Sequence, residues 1–311
     1  MITAIVPVCN GREYLRRLLD SLEAQSLRAE EVLAIDNGSS DGAPEAARER
    51  GARVIPMGRN AGFAAAVNRG IREARGEWLA ILNSDVELAP DYFERLVASG
   101  APFATGCLRS PRGTLDGTFD LTTRAGTTWR AGAGMAEGAP FDRVREIESP
   151  PFTAVLARAE VFVRAGLLEE RFESYLEDAE FGMRCARLGI RGRYVPEARA
   201  VHLGSATLGR WHPETVRRIA RNQLFLAARH LPRACWWNVL IGQLLWGGVA
   251  LRHGRGLAWL RGKREGLRGF RFAADAPCAV EEALRANERF IRETAHDRYW
   301  RLYFLLTRGT K

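Results

Sequence analysis

The chain has 311 residues, 46% of them apolar and 27% charged, which excludes a disordered or fibrous protein and leaves room for one large domain or two. The formal net charge of +9 comes almost wholly from Arg, since Lys occurs only at Lys263 and Lys311; such an excess suits anionic substrates, a membrane surface or nucleic acid, or is a bias of composition. Five scattered cysteines without metal-ligand spacing read as reduced thiols of a cytoplasmic protein, and the chain enters a strand-like run at once, so no signal peptide is expected.

The first hundred residues alternate strand and helix signals. Ile2 to Val8 is a short run rich in β-branched residues, and residues 12–25 carry the helical stripe Tyr14, Leu15, Leu18, Leu19, Leu22. Val32 to Ile35 predicts a second strand, ending at Asp36-Asn37-Gly38-Ser39. Asp41-Gly42 and Pro44 open a second helix, and Ala52 to Pro56 a third strand. A helix over 63–75 and a strand over Trp78 to Leu82 follow, the strand ending at Asn83-Ser84-Asp85. Strands separated by helices imply right-handed crossovers and a mainly parallel sheet. No Gly-x-Gly-x-x-Gly follows the first strand, which excludes the nicotinamide-binding variant of this architecture; Gly132-Ala133-Gly134 has the wrong spacing and no strand before it.

Residues 100–150 show no period and read as strands and loops flanking the acceptor side. Phe152 to Leu156 predicts a strand, Ala159 to Ala165 a short helix, and 177–188 a helix stopped by Gly189. Gly192 to Val195 is another strand, with His202 soon after. Two acidic signatures stand out. Asp85 falls at the carboxyl end of a buried strand, where open α/β sheets bind ligands. Glu177, Asp178 and Glu180 open a helix, where a carboxylate can face a reacting hydroxyl or simply complement the helix dipole.

Residues 212–311 form a second, helical region. Ile219 to Leu231 is helical, and Ala234 to Leu251 is almost continuously apolar, at the lower length limit for crossing a bilayer, though Asn238, Gln243 and three glycines weaken that reading. Seven Lys or Arg against one Glu follow between Arg252 and Arg271, interleaved with Trp259, Leu260, Leu267 and Phe270. This pattern suits a segment lying on an anionic membrane face, or a buried homodimer helix followed by a solvated one. Nucleic acid is not expected, because no recognition module accompanies the basic stretch.

The motifs Val6-Pro7-Val8-Cys9-Asn10-Gly11-Arg12, Asp36 to Gly42, Arg59-Asn60-Ala61-Gly62 with Asn68-Arg69-Gly70, Asn83-Ser84-Asp85 and Tyr175-Leu176-Glu177-Asp178 stand in one order over about residues 1–230. In this the chain resembles the inverting glycosyltransferases of family 2, most closely their rhamnosyltransferase-like branch. The resemblance implies an α/β fold of GT-A type: a Rossmann-like mixed sheet flanked by helices over 1–211, with a helical C-terminal region over 212–311. It implies transfer of a sugar, rhamnose as the best candidate, from a dTDP- or UDP-sugar to a glycan or polyprenyl-linked acceptor, on the cytoplasmic side of the plasma membrane.

Residue by residue, the resemblance makes Asp178 the base, with Glu177 in support. Asp85 and His202 become ligands of Mg²⁺ or Mn²⁺, and Pro7, Val8, Asn10, Asp36, Asn60, Asn68, Asn83 and Ser84 donor-binding residues. Asp36 is equally a turn-former before Asn-Gly. Three departures are expected to matter. Val8 stands where some relatives carry a polar residue, and Pro151-Phe152-Thr153-Ala154 replaces a Gly-containing turn. Thr207-Leu208-Gly209-Arg210-Trp211 lacks the Gln of the processive enzymes' Gln-x-x-Arg-Trp. A non-catalytic nucleotide-sugar-binding protein of the same fold is the alternative.

Overall fold

Four apolar runs become the parallel half of the sheet: β1 (Ile2–Val8), β2 (Glu31–Asp36), β3 (Arg53–Pro56) and β4 (Trp78–Leu82). They lie in the order β3-β2-β1-β4, all parallel. Helices α1 (Arg12–Glu23), α2 (Ala43–Glu49) and α3 (Phe63–Glu73) make the crossovers. Covering both faces is why these strands read as continuous rather than alternating apolar runs. Leu15, Leu18, Leu19 and Leu22 form the buried stripe of α1, as their spacing predicts. The computed structural model from which this is drawn describes residues 1–204, 209, 211–273 and 278–308.

Beyond β4 the chain makes β5 (Val86–Leu88), α4 (Tyr92–Ala98), β6 (Phe103–Arg109), β7 (Leu115–Gly117), β8 (Asp120–Thr122), β9 (Thr128–Arg130) and β10 (Arg145–Ile147). Next come β11 (Ala154–Arg158), α5 (Ala159–Ala165), α6 (Glu177–Arg187) and β12 (Gly192–His202). The sheet continues from β4 as β11-β6-β12-β10, with β11 antiparallel to both its neighbours. The parallel expectation holds for the first half and again where β12 lies beside β6, but the antiparallel β11 and β10 make the whole sheet mixed. The strand expected over 152–156 begins two residues later. The strand expected over 192–195 runs on to His202, through an irregularity between Val195 and Arg199. Pro196, which cannot donate to a ladder, sits inside it.

Helices α7 (Pro213–His230), α8 (Trp236–Arg252), α9 (Gly256–Leu267), α10 (Cys278–Thr294) and α11 (Arg298–Leu306) complete the fold. One face of the sheet packs Leu18, Leu22, Tyr92 and Phe93. The other shares a core with the C-terminal region, in which Ile5, Phe103, Phe119 and Tyr194 meet Ile291, Trp300, Tyr303 and Phe304. Arg124 Nη2 and Glu288 Oε2, 2.8 Å apart, add a partly buried ion pair between the sheet side and α10.

The segment Arg233–Arg252 is long and apolar enough to cross a membrane by length and composition alone. Its inner side is nevertheless tied to the protein: Asn238 Nδ2 donates to Tyr303 Oη at 3.1 Å and Gln243 Nε2 to Ala125 O at 2.8 Å. Helix α9 approaches α7 so closely that a Cβ at Gly262 would lie 2.2 Å from Arg217 O. Lys263, part of the basic run, is therefore buried, its Nζ donating to Ala220 O at 2.7 Å and Gln223 Oε1 at 3.1 Å.

Candidate active site

A cleft of about 660 Å³ opens at the carboxyl ends of β1 and β4. The turn Asn83-Ser84-Asp85 leaves β4 on its floor, and Asn83 N donates to Thr153 O at 2.9 Å. Strand β5 then pairs with the end of β12, with His202 opposite Val86. That register brings His202 Nε2 to 3.2 Å from Asp85 Oδ1, while Nδ1 lies 2.9 Å from Asp116 Oδ2 on β7. Burial alone would lower the pKa of His202, but hydrogen bonds to Asp116 and Asp85 outweigh it and push the value up to about 9.

Among the described residues no cluster of three or more His, Cys, Asp or Glu side chains stands ready to hold a metal. The Asp85–His202 pair fits a partial site. Adjacent ligands of an octahedral ion bound at about 2.1 Å lie about 3 Å apart, close to the separation of this oxygen and nitrogen. Asp116 on the far ring nitrogen is the partner that orients a ligating histidine. The remaining positions would fall to oxygens of a bound substrate.

The opposite wall is the start of α6. Among the described non-glycine residues only Asn10, Glu173, Tyr175 and Leu176 have positive φ, and three of these fall within the four residues before Glu177. Such strain persists only where neighbours over-determine it. Asn222, fully buried on α7, donates from Nδ2 to the carbonyls of Phe172 (2.8 Å), Ser174 (3.0 Å) and Tyr175 (2.7 Å). From the other side Ala64 N donates to Glu173 O at 2.9 Å, and only a glycine at 62 allows this, since a Cβ there would meet the same oxygen at 2.9 Å.

This clamp delivers Glu177 and Asp178 into the cleft. Asp178 Oδ1 accepts from Ala179 N at 2.8 Å, and Oδ2 lies 3.5 Å from Arg130 Nη2. Arg130 also holds Asp120, its Nε 3.3 Å from Oδ1, and Nη1 donates to Thr153 Oγ1 at 3.3 Å. Burial, then the charge of Asp120, pushes the Asp178 carboxyl up to about 7, with Arg130 opposing. Burial and Asp178 raise Glu177 well above the carboxylate range, and its Oε2 is buried with no hydrogen-bond partner among the described residues. Glu180 turns away from the cleft: His230 and Arg184 overcome its burial and hold it below the usual range, so it ties α6 to α7. One carboxyl poised near neutrality beside another kept protonated is an arrangement able to take a proton from a hydroxyl.

Of the expected donor-binding residues, Pro7, Asn60, Asn83 and Ser84 line the cleft. Four do not. Val8 points into the core packed on α1, because successive strand residues face opposite ways and Pro7 takes the cleft side. Asn68 is buried and spans Leu168, donating to its carbonyl and accepting from its amide, each at 2.9 Å. Asn10 accepts from Ser40 N at 2.8 Å, joining the loops after β1 and β2, and Asp36 Oδ1 accepts from Ser39 N at 2.8 Å as a turn-former. Phe152 lines the cleft and packs on Phe181, ring centroids 5.6 Å apart. Sequence reasoning missed Asp116, Asp120 and Arg130, which lie in the aperiodic 100–150 stretch, and Trp246 on α8, which lines the cleft with Ile219. Of Thr207 to Trp211, residues 207, 208 and 210 lie outside the described residues; Trp211 lines the cleft and stacks on His253 at 3.7 Å.

The profile of the family described as "Glycosyl transferase family 2" matches residues 3–100. A Mycobacterium tuberculosis protein named N-acetylglucosaminyl-diphospho-decaprenol L-rhamnosyltransferase is 31% identical over 277 residues, spanning 77% of this chain and 87% of that protein. Among solved structures, a mannosyltransferase from Pyrobaculum calidifontis in complex with GDP-Man and Mn²⁺ is similar with a TM-score of 0.54 at 18% identity, over 99% of this chain and 85% of that one. GalNAc-T7 with UDP, GalNAc and Mn²⁺ is similar with a TM-score of 0.56 at 14% identity, over 74% of this chain and 51% of that one. At these identities the two structures speak for the fold.

Proposed function

This chain belongs to glycosyltransferase family 2, and from that premise we propose that it moves rhamnose, with inversion, from a dTDP- or UDP-linked donor to a polyprenyl-diphosphate-linked glycan. The fold is of GT-A type, and residues 1–211 are the transferase unit in this reading. The observation that carries it is one cleft with the Asp85–His202 pair on one wall and the near-neutral Asp178 on the other. The rhamnosyl donor and lipid-linked acceptor are taken from the name of the 31% identical relative.

Donor binding falls to Pro7, Asn60, Asn83 and Ser84 along the sheet edge. A Mg²⁺ or Mn²⁺ ion held by Asp85 and His202 would neutralise charge on the departing diphosphate. Asp116 fixes the ring of His202 so that Nε2 faces the ion's position. Asp178 takes the proton of the acceptor hydroxyl as that oxygen bonds to the anomeric carbon and the nucleoside diphosphate leaves from the opposite side. Arg130 and Asp120 hold Asp178 in place and set its proton affinity. Glu177, protonated, offers a hydrogen to substrate oxygen. In this reading the reaction takes place at the cytoplasmic face of the plasma membrane, where a polyprenyl-linked acceptor would be presented.

The test is product formation with a panel of nucleotide sugars and a synthetic prenyl-diphosphate-GlcNAc acceptor, with Mn²⁺ or EDTA. The expected result is a product whose anomeric configuration is opposite to that of the nucleotide-sugar donor, lost in EDTA. Turnover unaffected by EDTA, or retention of configuration, would reject the reading.

A further inference from the structure

Large apolar side chains are not spread evenly over this surface. Of the fifteen exposed ones among the described residues, ten fall between Trp236 and Leu306. On α8 the outward stripe is Trp236, Leu240, Leu244 and Leu251, spaced so that they stand above one another, with Gly248 between. A helix lying on a globular protein normally turns charge outward and leucine inward. Here the polar Asn238 and Gln243 face inward beside Val239 and Ala250, where each has partners, and leucines are turned outward.

Helices α9 and α11 both pack against α8 and extend the pattern. Leu257, Leu260 and Leu267 of α9 are 75%, 54% and 59% exposed, while Gly262 and Gly266 face α7. Leu302 and Leu305 of α11 are 46% and 53% exposed. Exposed apolar side chains gathered on three neighbouring helices mark an interaction site.

The charges beside it select the occupant. Arg252, Arg261, Arg264, Arg268 and Arg271 are exposed between 236 and 271, and the one acidic residue of that stretch, Glu265, is engaged by Arg217. Arg268 also lines a pocket of about 250 Å³ at the end of α9, together with Arg171, Arg229, Arg271 and the rings of Phe225 and Phe270. The pocket's one acidic lining residue, Glu169, is held by Arg229 at 2.8 Å. Two-fold pairing of such faces would set arginines against arginines. An anionic bilayer presents the complement: phosphate for the arginines and an acyl boundary for the leucines.

We propose that the outer faces of α8, α9 and α11 rest in the surface of an anionic bilayer, with a headgroup phosphate in the arginine pocket at the end of α9. The inference rests on the lipid-linked-acceptor reading and deepens it. Helix α8 gives Trp246 to the cleft and its leucine stripe to the outside, so one helix joins the cleft to the surface at which a lipid-linked acceptor would be presented. The helix does not cross, because its inner side is committed to the protein.

The experiment is flotation of the full chain with vesicles of phosphatidylcholine alone or mixed with phosphatidylglycerol, with donor turnover on a water-soluble acceptor measured on the same samples. Binding is expected to the mixed vesicles only, reduced by salt. The triple variant Leu257→Ser/Leu260→Ser/Leu267→Ser is expected to lose binding about tenfold or more, and Arg268→Gln/Arg271→Gln to lose the preference for anionic lipid, both with unchanged turnover and melting temperature. Equal binding to neutral vesicles, no binding, or a dimer abolished by the leucine substitutions would overturn the proposal. Absent vesicle binding with intact turnover rejects the docking surface alone, whereas vesicle binding without turnover rejects the transferase reading and leaves the surface standing.

Discussion

Replacing Asp178 by Asn is expected to disable the protein and stabilise it at the same time. In the folded chain burial and Asp120 push the Asp178 carboxyl from 3.8 up to about 7. A raised carboxyl pKa means the folded state holds the proton more tightly than the unfolded one. Its cost is therefore absent below about pH 4, grows as pH rises between about 4 and 7, and is constant above. The span corresponds to about 4 kcal/mol at 1.36 kcal/mol per pH unit. An amide carries no charge and keeps a donor toward Asp120, so Asp178→Asn should recover about 1–3 kcal/mol at pH 8 and almost nothing at pH 4. Turnover should fall by about 10²-fold or more, with donor affinity within about threefold, because only proton acceptance is lost. The assay is urea denaturation at both pH values, paired with donor titration and product formation. Equal stabilisation at pH 4 and pH 8 would refute the charge argument, and retained turnover would refute the base.

With wild-type protein, kcat/KM should fall about tenfold per pH unit below pH 7 as Asp178 gains its proton; a flat profile from pH 5 to 8 would count against it. Asp85→Ala should weaken nucleoside diphosphate binding more than tenfold in Mn²⁺ and not at all in EDTA, read by calorimetry. Asp116→Asn should raise the Mn²⁺ concentration needed for donor binding by about 10–100-fold, because the His202 ring loses its orienting carboxylate; an unchanged requirement would remove Asp116 from the site. Asn222→Ala should cost about 2–4 kcal/mol in chemical denaturation by removing the side-chain donor shared by the carbonyls of Phe172, Ser174 and Tyr175, of which Phe172 keeps Arg221, and should lower turnover by releasing the strained approach to α6.

Whatever is encoded locally was legible in the chain. Apolar runs over Ile2–Val8 and Trp78–Leu82, and the leucine stripe of α1, specify their elements through near neighbours, and crossover handedness then places Pro7, Asn83 and Asp85 on one sheet edge. The acidic start of α6 announces Glu177 and Asp178 in the same way. Tertiary structure decided the rest. Asp116, Asp120 and Arg130 sit in strands of three residues, too short for any period to show, and they reach the site only because β7 pairs with β6 and β8 with β9. His202 meets Asp85 through the pairing of β5 with β12, a contact between residues 117 positions apart in number that no local pattern carries. Motif membership alone could not separate Pro7 from Val8, which the pleat turns to opposite faces, nor show that Asn68 is spent on Leu168. The apolar run before Arg252 looked the same as a membrane span or a core helix, since composition fixes how much apolar surface a helix has, and only its partners Tyr303 and Ala125 decide which side of it is left outside.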